Sequence, residues 1–312
     1  MKFHELSKIQ DISIFEREFM NLTQKNILTE YNKSIPDILY HYTSLYGLEG
    51  ILKNKEFWVS NCHFLNDQTE KYYTYEFCKD IVYEMSGGDF QIYNRVLKIL
   101  DQHIFDMEES IYTLSLTSNK DSNLLWSNYS KNDGYNISLE YPRFVQEFRN
   151  HEANHHMAIY CSKVIYEKSE QKKILMQLIG FLYQLIDYYQ IQEETKALPE
   201  EMKSFIYAIA ANVTIWATLF KDKAFAQEEE IRVVFLNDLD YKQDNFRISN
   251  GAFIPYIKMP FRVTERIIKG VTIGPKNKMD IAKKGMEMFL KANGYNYIEE
   301  NAVIRSCIPY RY

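Results

Sequence analysis

The chain has 312 residues, is 46% hydrophobic and carries a formal net charge of −5 at pH 7. This is long and apolar enough for one large or two closely packed domains with a substantial core, and the acidic balance argues against a wholesale nucleic-acid footprint. No run of about 18 apolar residues is available for a membrane span, and the start MKFHELSKIQDISIFEREF is too polar for a signal peptide. The four cysteines, Cys62, Cys78, Cys161 and Cys307, form no CxxC pair, which points to a reduced, cytoplasmic chain.

Residues 1–35 read as a helical preface, because Ile12, Phe15, Phe19 and Leu22 recur three and four apart. The apolar run Ile38-Leu39-Tyr40 then delivers His41, Tyr42, Thr43 and Ser44 at a strand end. A one-face helix follows, with Leu45, Leu48, Ile51 and Leu52, and Phe57-Trp58-Val59 starts a second strand that ends at Ser60. Asn66-Asp67-Gln68 reads as a turn, and residues 69–108 as two helices broken at Gly87-Gly88. Strands are expected over 110–116, 135–141 and 157–166. A long helical pair over about 169–224, divided near Pro199, interrupts the strand series as an insertion. Further strands are expected at 230–236, 252–257 and 267–273. A helix over 280–293 stops at Gly294, and the last strand falls within 301–307. The remainder, 36–312, reads as one α+β domain: a mixed, mostly antiparallel core sheet with flanking helices.

A histidine followed by hydroxyl residues at a strand end suits a polyhydroxylated ligand such as a ribose. Thr43 and Ser44 also read as ordinary N-caps for the helix that begins near Leu45. The stretch YHYTS…GLEGIL…K.FWVSN..FLND..E resembles the DUF2971 family and, more distantly, the NAD-dependent ADP-ribosyltransferase fold. The resemblance continues at Leu125-Trp126-Ser127-Asn128-Tyr129, at Gly134 to Glu140 and at Phe225 to Arg232, and spans about 38–305 with gaps. It implies that NAD is the substrate, gripped by His41, Tyr42, Thr43 and Ser60, with Trp126 or Tyr129 stacking on a ring. It further implies that Glu230 stabilises the oxocarbenium-like transition state of nicotinamide loss, while Glu228 steers the acceptor, a protein or nucleic acid. Arg232 would pair with one of the acids or with a cofactor phosphate. If the strand begins by 228, alternation sets Glu228, Glu230 and Arg232 on one face. An acidic run leading into a plain amphipathic strand remains the alternative reading. A bacterial toxin or phage-defence effector would fit such a transferase; a degenerate fold that only binds a nucleotide or partner is the second reading.

His151-Glu152-Ala153-Asn154-His155 is a literal HExxH, the zinc-peptidase spacing. Asn150 and Asn154 are poor helix formers and a strand follows at once, so the segment reads as a helix end and loop, and no metal is expected. The span 258–311 holds eleven basic residues (Lys258, Arg262, Arg266, Lys269, Lys276, Lys278, Lys283, Lys284, Lys291, Arg305 and Arg311). Five acids (Glu265, Asp280, Glu287, Glu299 and Glu300) oppose them. Such a surplus reads as a solvated face or as a patch for an anionic partner. No Walker loop, GxGxxG or GxSxG occurs.

Overall fold

The computed structural model describes residues 12–23, 29–64, 69–108, 110–130, 134–189, 198–237, 245–249 and 251–309. The turn expected at Asn66-Asp67-Gln68, and Arg311, lie outside them. Contact density divides the chain into two units, one gathering 1–33, 61–111 and 164–225, the other 34–60, 112–163 and 226–312.

The first unit is helical: α1 (Ile12–Met20), α2 (Thr29–Asn32), and, beyond residue 61, α4 (Thr69–Ser86), α5 (Phe90–Glu108), α8 (Lys168–Tyr188) and α9 (Glu200–Ala217). The intervening α3 (Leu45–Asn54), α6 (Asn123–Tyr129) and α7 (Tyr141–Asn150) belong to the other unit. α1 buries Phe15 and Phe19, and the Phe19 ring meets Phe181 and Phe205 edge-on at 5.3 and 5.6 Å. An apolar stripe with 3.6-residue spacing requires a partner. The preface and the expected insertion therefore supply each other's, together with α4 and α5, in a single helical body. Pro199 stands at the N-cap of α9 with Glu200 and Glu201 in the first turn, where acids complement the helix dipole.

The second unit carries the sheet. Its strands are β1 (Ile38–Thr43), β2 (Glu56–Asn61), β3 (Ile111–Thr117), β4 (Tyr135–Glu140), β5 (Met157–Lys163), β6 (Glu230–Asn237), β7 (Phe246–Ser249), β8 (Ala252–Pro260), β9 (Ile268–Ile273) and β10 (Val303–Arg305). The order is β10-β9-β4-β1-β3-β2-β8-β7, with β6 also on β3 and β5 on β6. β10 runs parallel to β9, whereas β1–β4, β4–β9, β2–β8, β5–β6 and β7–β8 are antiparallel. The architecture is thus a mixed, mostly antiparallel sheet with flanking helices. β7, short and polar at alternate positions, was not expected from the sequence.

One face of this sheet builds the main core. α3 (Leu45–Asn54), α7 (Tyr141–Asn150) and α10 (Ala282–Ala292) bring Leu48, Leu52, Phe144, Phe148, Met286 and Leu290 against Leu39, Phe57, Ile137, Val233 and Ile257. α6 (Asn123–Tyr129) belongs to a separate cluster, in which Leu125 and Trp126 pack with Tyr42. The start of α3 follows from local chemistry. Ser44 sits in an extended conformation and its hydroxyl accepts the Gly47 N–H at 3.2 Å, an ordinary N-cap.

Candidate functional site

The acidic triplet is not a continuous strand. Lys223–Glu228 forms a 3₁₀ segment, Glu229 adopts left-handed backbone (φ 46°), and β6 begins only at Glu230. A left-handed glutamate is uncommon and costs on the order of 1 kcal/mol, so neighbouring bonds must hold it. They do. Thr117 Oγ1 donates to Glu228 O at 2.7 Å, Ser118 N to Glu229 O at 3.3 Å and Ser118 Oγ to Glu229 Oε2 at 2.5 Å. The expected alternation of Glu228 with Glu230 and Arg232 is therefore broken at Glu229.

Beyond it, alternation holds. Ile231, Val233 and Phe235 belong to the main core, so Glu230 and Arg232 project from the opposite face of β6. There they pair as the sequence suggested. Arg232 Nε and Nη2 donate to Glu230 Oε1 and Oε2 at 2.8 and 3.2 Å, and the two side chains retain only 3% and 6% exposure. Both carboxylate oxygens are engaged by the guanidinium, in the two-point geometry that makes such pairs strong. Glu228 is also buried, at 4%, and its Oε1 accepts the hydroxyl of Tyr129 at 3.1 Å.

His41 stands elsewhere. In the β1–β4 register Leu39 faces Leu139, His41 faces Ile137 and Thr43 faces Tyr135, all on the core face. The imidazole packs edge-on against Phe57 at 5.8 Å, and its Nδ1–H donates to Ser115 O at 3.1 Å. Burial lowers its pKa below the ordinary 6.5, only partly opposed by that hydrogen bond, so the ring is held neutral. His41 and Glu230 thus issue from opposite faces, and the shared cleft that the transferase resemblance implies is absent from this arrangement.

The other implied cofactor contacts are engaged in packing. The Tyr42 hydroxyl donates to Asn119 O and accepts from Ser122 N, both at 3.0 Å, and burial raises its pKa to about 12. Its ring meets Trp126 at 4.6 Å. Trp126 lies on α6. It is 1% exposed, and its indole N–H donates to Asp121 Oδ1 at 2.6 Å. Asp121, unnoticed in the sequence, also accepts from Ser306 Oγ and Cys307 N. Gly274 approaches the same indole so closely that a Cβ there would lie 3.0 Å from Trp126 and 2.7 Å from Gly134 O. Thr43 packs its hydroxyl on the Cα of Gly47, and Ser60 accepts from Arg247 Nη2 at 2.8 Å. Of the nine residues proposed as a site, only Tyr129, at 36% exposure, presents a large surface beside an acid.

The HExxH segment leaves the helix at its first histidine. α7 ends at Asn150, His151 has extended backbone (ψ 126°), and Glu152–Asn154 is a single 3₁₀ turn. Its two histidines are therefore not one helical turn apart. The basic surplus of 258–311 is also reduced by acids from elsewhere in the chain. Lys258 pairs with Glu56, Lys269 with Glu140 and Arg262 with Glu147, while Lys283 and Lys284 flank Glu287. Glu147 sits on the apolar face of α7, 1% exposed. Burial pushes its carboxyl up, but the Arg262 side-chain and backbone hydrogen bonds and charge outweigh this and leave it below the ordinary range.

A cavity of about 760 Å³ opens on the core side of the sheet, between α3, α10 and residues 276–279. Leu45, Leu48, Met279, Ile281, Met286 and Phe289 form its apolar walls, with Tyr135, Lys276, Asn277, Lys278 and Glu49 adding polar groups. None of the nine proposed site residues lines it. The one sequence sign of it is Gly285, a glycine in the middle of α10. It lines the cavity, and a Cβ there would meet nothing within 4 Å.

No curated protein and no solved structure matches the chain. Residues 125–233, from α6 into β6, match the family described as "Protein of unknown function (DUF2971)". The motif at residues 38–70 lies outside that match. The family to which this chain shows its likeness, through the segment that joins Trp126 and Tyr129 to Glu228, Glu230 and Arg232, is DUF2971.

Proposed function

We propose that this chain is a non-enzymatic binding module, with the cavity between α3 and α10 as its ligand site. The observation that carries this reading is the state of Glu230. Its two oxygens are taken by Arg232 inside the protein, and the histidine meant to share its ligand points from the other face. A carboxylate in that condition has no open side toward a ribose. The cavity has the character of a binding site, with mostly apolar walls and a few convergent polar groups. The test is incubation of purified protein with NAD labelled in the nicotinamide and, separately, in the adenylate, with cell lysate as a source of acceptors. The expected result is neither nicotinamide release nor a labelled acceptor. Release that disappears in Glu228→Gln would overturn the reading.

The second reading is ADP-ribosyl transfer or NAD hydrolysis with Glu228, rather than Glu230, as the working acid. It is favoured by the Tyr129 hydroxyl on Glu228 Oε1, which couples a part-exposed aromatic to a carboxylate. On that reading Glu228→Gln removes turnover by about 10²–10³, and Tyr129→Phe lowers it less.

A further inference from the structure

We infer that the sheet face over β2, β8 and β7 carries a second site, in which Arg247 takes the carboxylate of a small aromatic acid whose ring lies against Trp58. The site is on the side of the sheet away from the α3–α10 cavity and does not depend on it. Phe57, Val59, Ile257 and Met259 belong to the main core, so Trp58, Ser60, Tyr256 and Lys258 project from the opposite face. Arg247 joins them there, because its register partner Ile254 shares the parity of Tyr256. Its Nη2 donates to Ser60 Oγ at 2.8 Å, which carries the guanidinium across β8 to β2.

Arg247 supplies the reason for an anion. A guanidinium has five N–H donors and stays charged. Here it is half-buried, its Nε is buried with no acceptor, and among the described residues a neutral hydroxyl is its one hydrogen-bond partner. Burial lowers its pKa, and Tyr256, the one ionisable neighbour acting on it, is a phenol rather than a carboxylate. A partly desolvated charge with no opposing charge is unfavourable. A carboxylate supplies the missing charge together with two acceptors that suit the guanidinium fork. The other charges of this face cancel. Lys258 Nζ lies 3.7 Å from Glu56 Oε1, and Glu56 also accepts the Trp58 indole N–H at 2.7 Å, on the far side of Trp58 from Ser60. The single positive charge that remains matches a monoanion rather than a phosphate dianion.

The aromatic half of the ligand follows from Trp58. Its ring is 42% exposed, and stacking on Tyr256 at 4.7 Å and 27° holds it in place. A flat, exposed indole fixed in this way offers its surface to another ring. Trp58 and Ser60 stand two residues apart on one face, about 7 Å along the strand, which sets roughly that spacing between ring and carboxylate.

The test uses the full chain labelled with ¹⁵N at the tryptophan indoles, with phenylbutyrate and the uncharged phenylbutanol as matched probes. The chain has three tryptophans, and Trp126 and Trp216 are each 1% exposed. Phenylbutyrate is therefore expected to shift the Trp58 signal saturably and to leave the other two unmoved; Trp58→Phe identifies that signal. It should bind at least about tenfold tighter than phenylbutanol, the reach of one charge-assisted contact in partly desolvated surroundings. In the wild type this preference should shrink as salt is added. Arg247→Gln should erase the preference with Trp126 and Trp216 signals unchanged, and Trp58→Ala should weaken both probes. Absence of a saturable Trp58 shift, equal affinity for the two probes, a salt-independent preference, or an undiminished preference in Arg247→Gln would overturn the inference.

Discussion

Replacing Glu230 by glutamine tests, through stability rather than activity, whether Glu230 is the closed partner of Arg232 or the catalytic acid that the sequence resemblance implies. In an active site the substitution would remove turnover and leave the fold intact. Here the carboxylate closes a two-point pair with Arg232, and the two side chains are 3% and 6% exposed. The Glu230→Gln side chain would accept one guanidinium N–H but withdraw the carboxylate charge from a buried ion pair, and breaking such a pair from one side costs about 3–5 kcal/mol. For a unit of this size each kcal/mol moves the midpoint by about 2–4 °C, so the unfolding midpoint should fall by roughly 6–20 °C. Glu230→Leu/Arg232→Met, which removes both charges, should recover most of the loss, because apolar replacement of a whole buried pair is near neutral. Urea and thermal unfolding followed by circular dichroism, closed into a double-mutant cycle, measure the coupling. A Glu230→Gln protein within about 1 kcal/mol of wild type, with additive single effects, would refute the closed pair and reopen Glu230 as a catalytic acid.

Glu147 supplies a pH test. Its carboxyl is held below the ordinary 4.5 by Arg262, so the unfolded chain binds the proton first. Its contribution is complete above about 4.5 and is lost as pH falls through the depressed native value. The stability gap between wild type and Glu147→Gln should be constant near neutrality and shrink in acid; a gap that grows in acid contradicts the pairing. His41, lowered by burial, should titrate below 6.5 by NMR, its stability contribution being present above 6.5 and lost as pH falls. A midpoint at or above 6.5 would mean the ring is solvated and available to a ligand. Gly285→Ala should raise stability by about 1 kcal/mol, since helix propensity improves and a Cβ meets no atom within 4 Å. Destabilisation in denaturant titration would show that α10 packs differently.

Local patterns were legible in the chain itself. The strand of His41, the capped helix after Ser44, the break at Gly87-Gly88, the helix start at Pro199 and the Arg232–Glu230 partnership all follow from neighbours within a few residues. Each depends on a period or a cap that short-range sterics enforce. Tertiary structure decided the rest. The left-handed backbone of Glu229 needs Thr117 and Ser118, more than a hundred residues away, to hold it. The basic surplus of the C-terminal span looked unbalanced because its counter-charges, Glu56, Glu140 and Glu147, come from other elements. Alternation fixes which residues share a face within one strand, but not which face of the sheet that is. That depends on inter-strand register and on which helices cover each side, so His41 and Glu230, each correctly set on a strand, point away from one another.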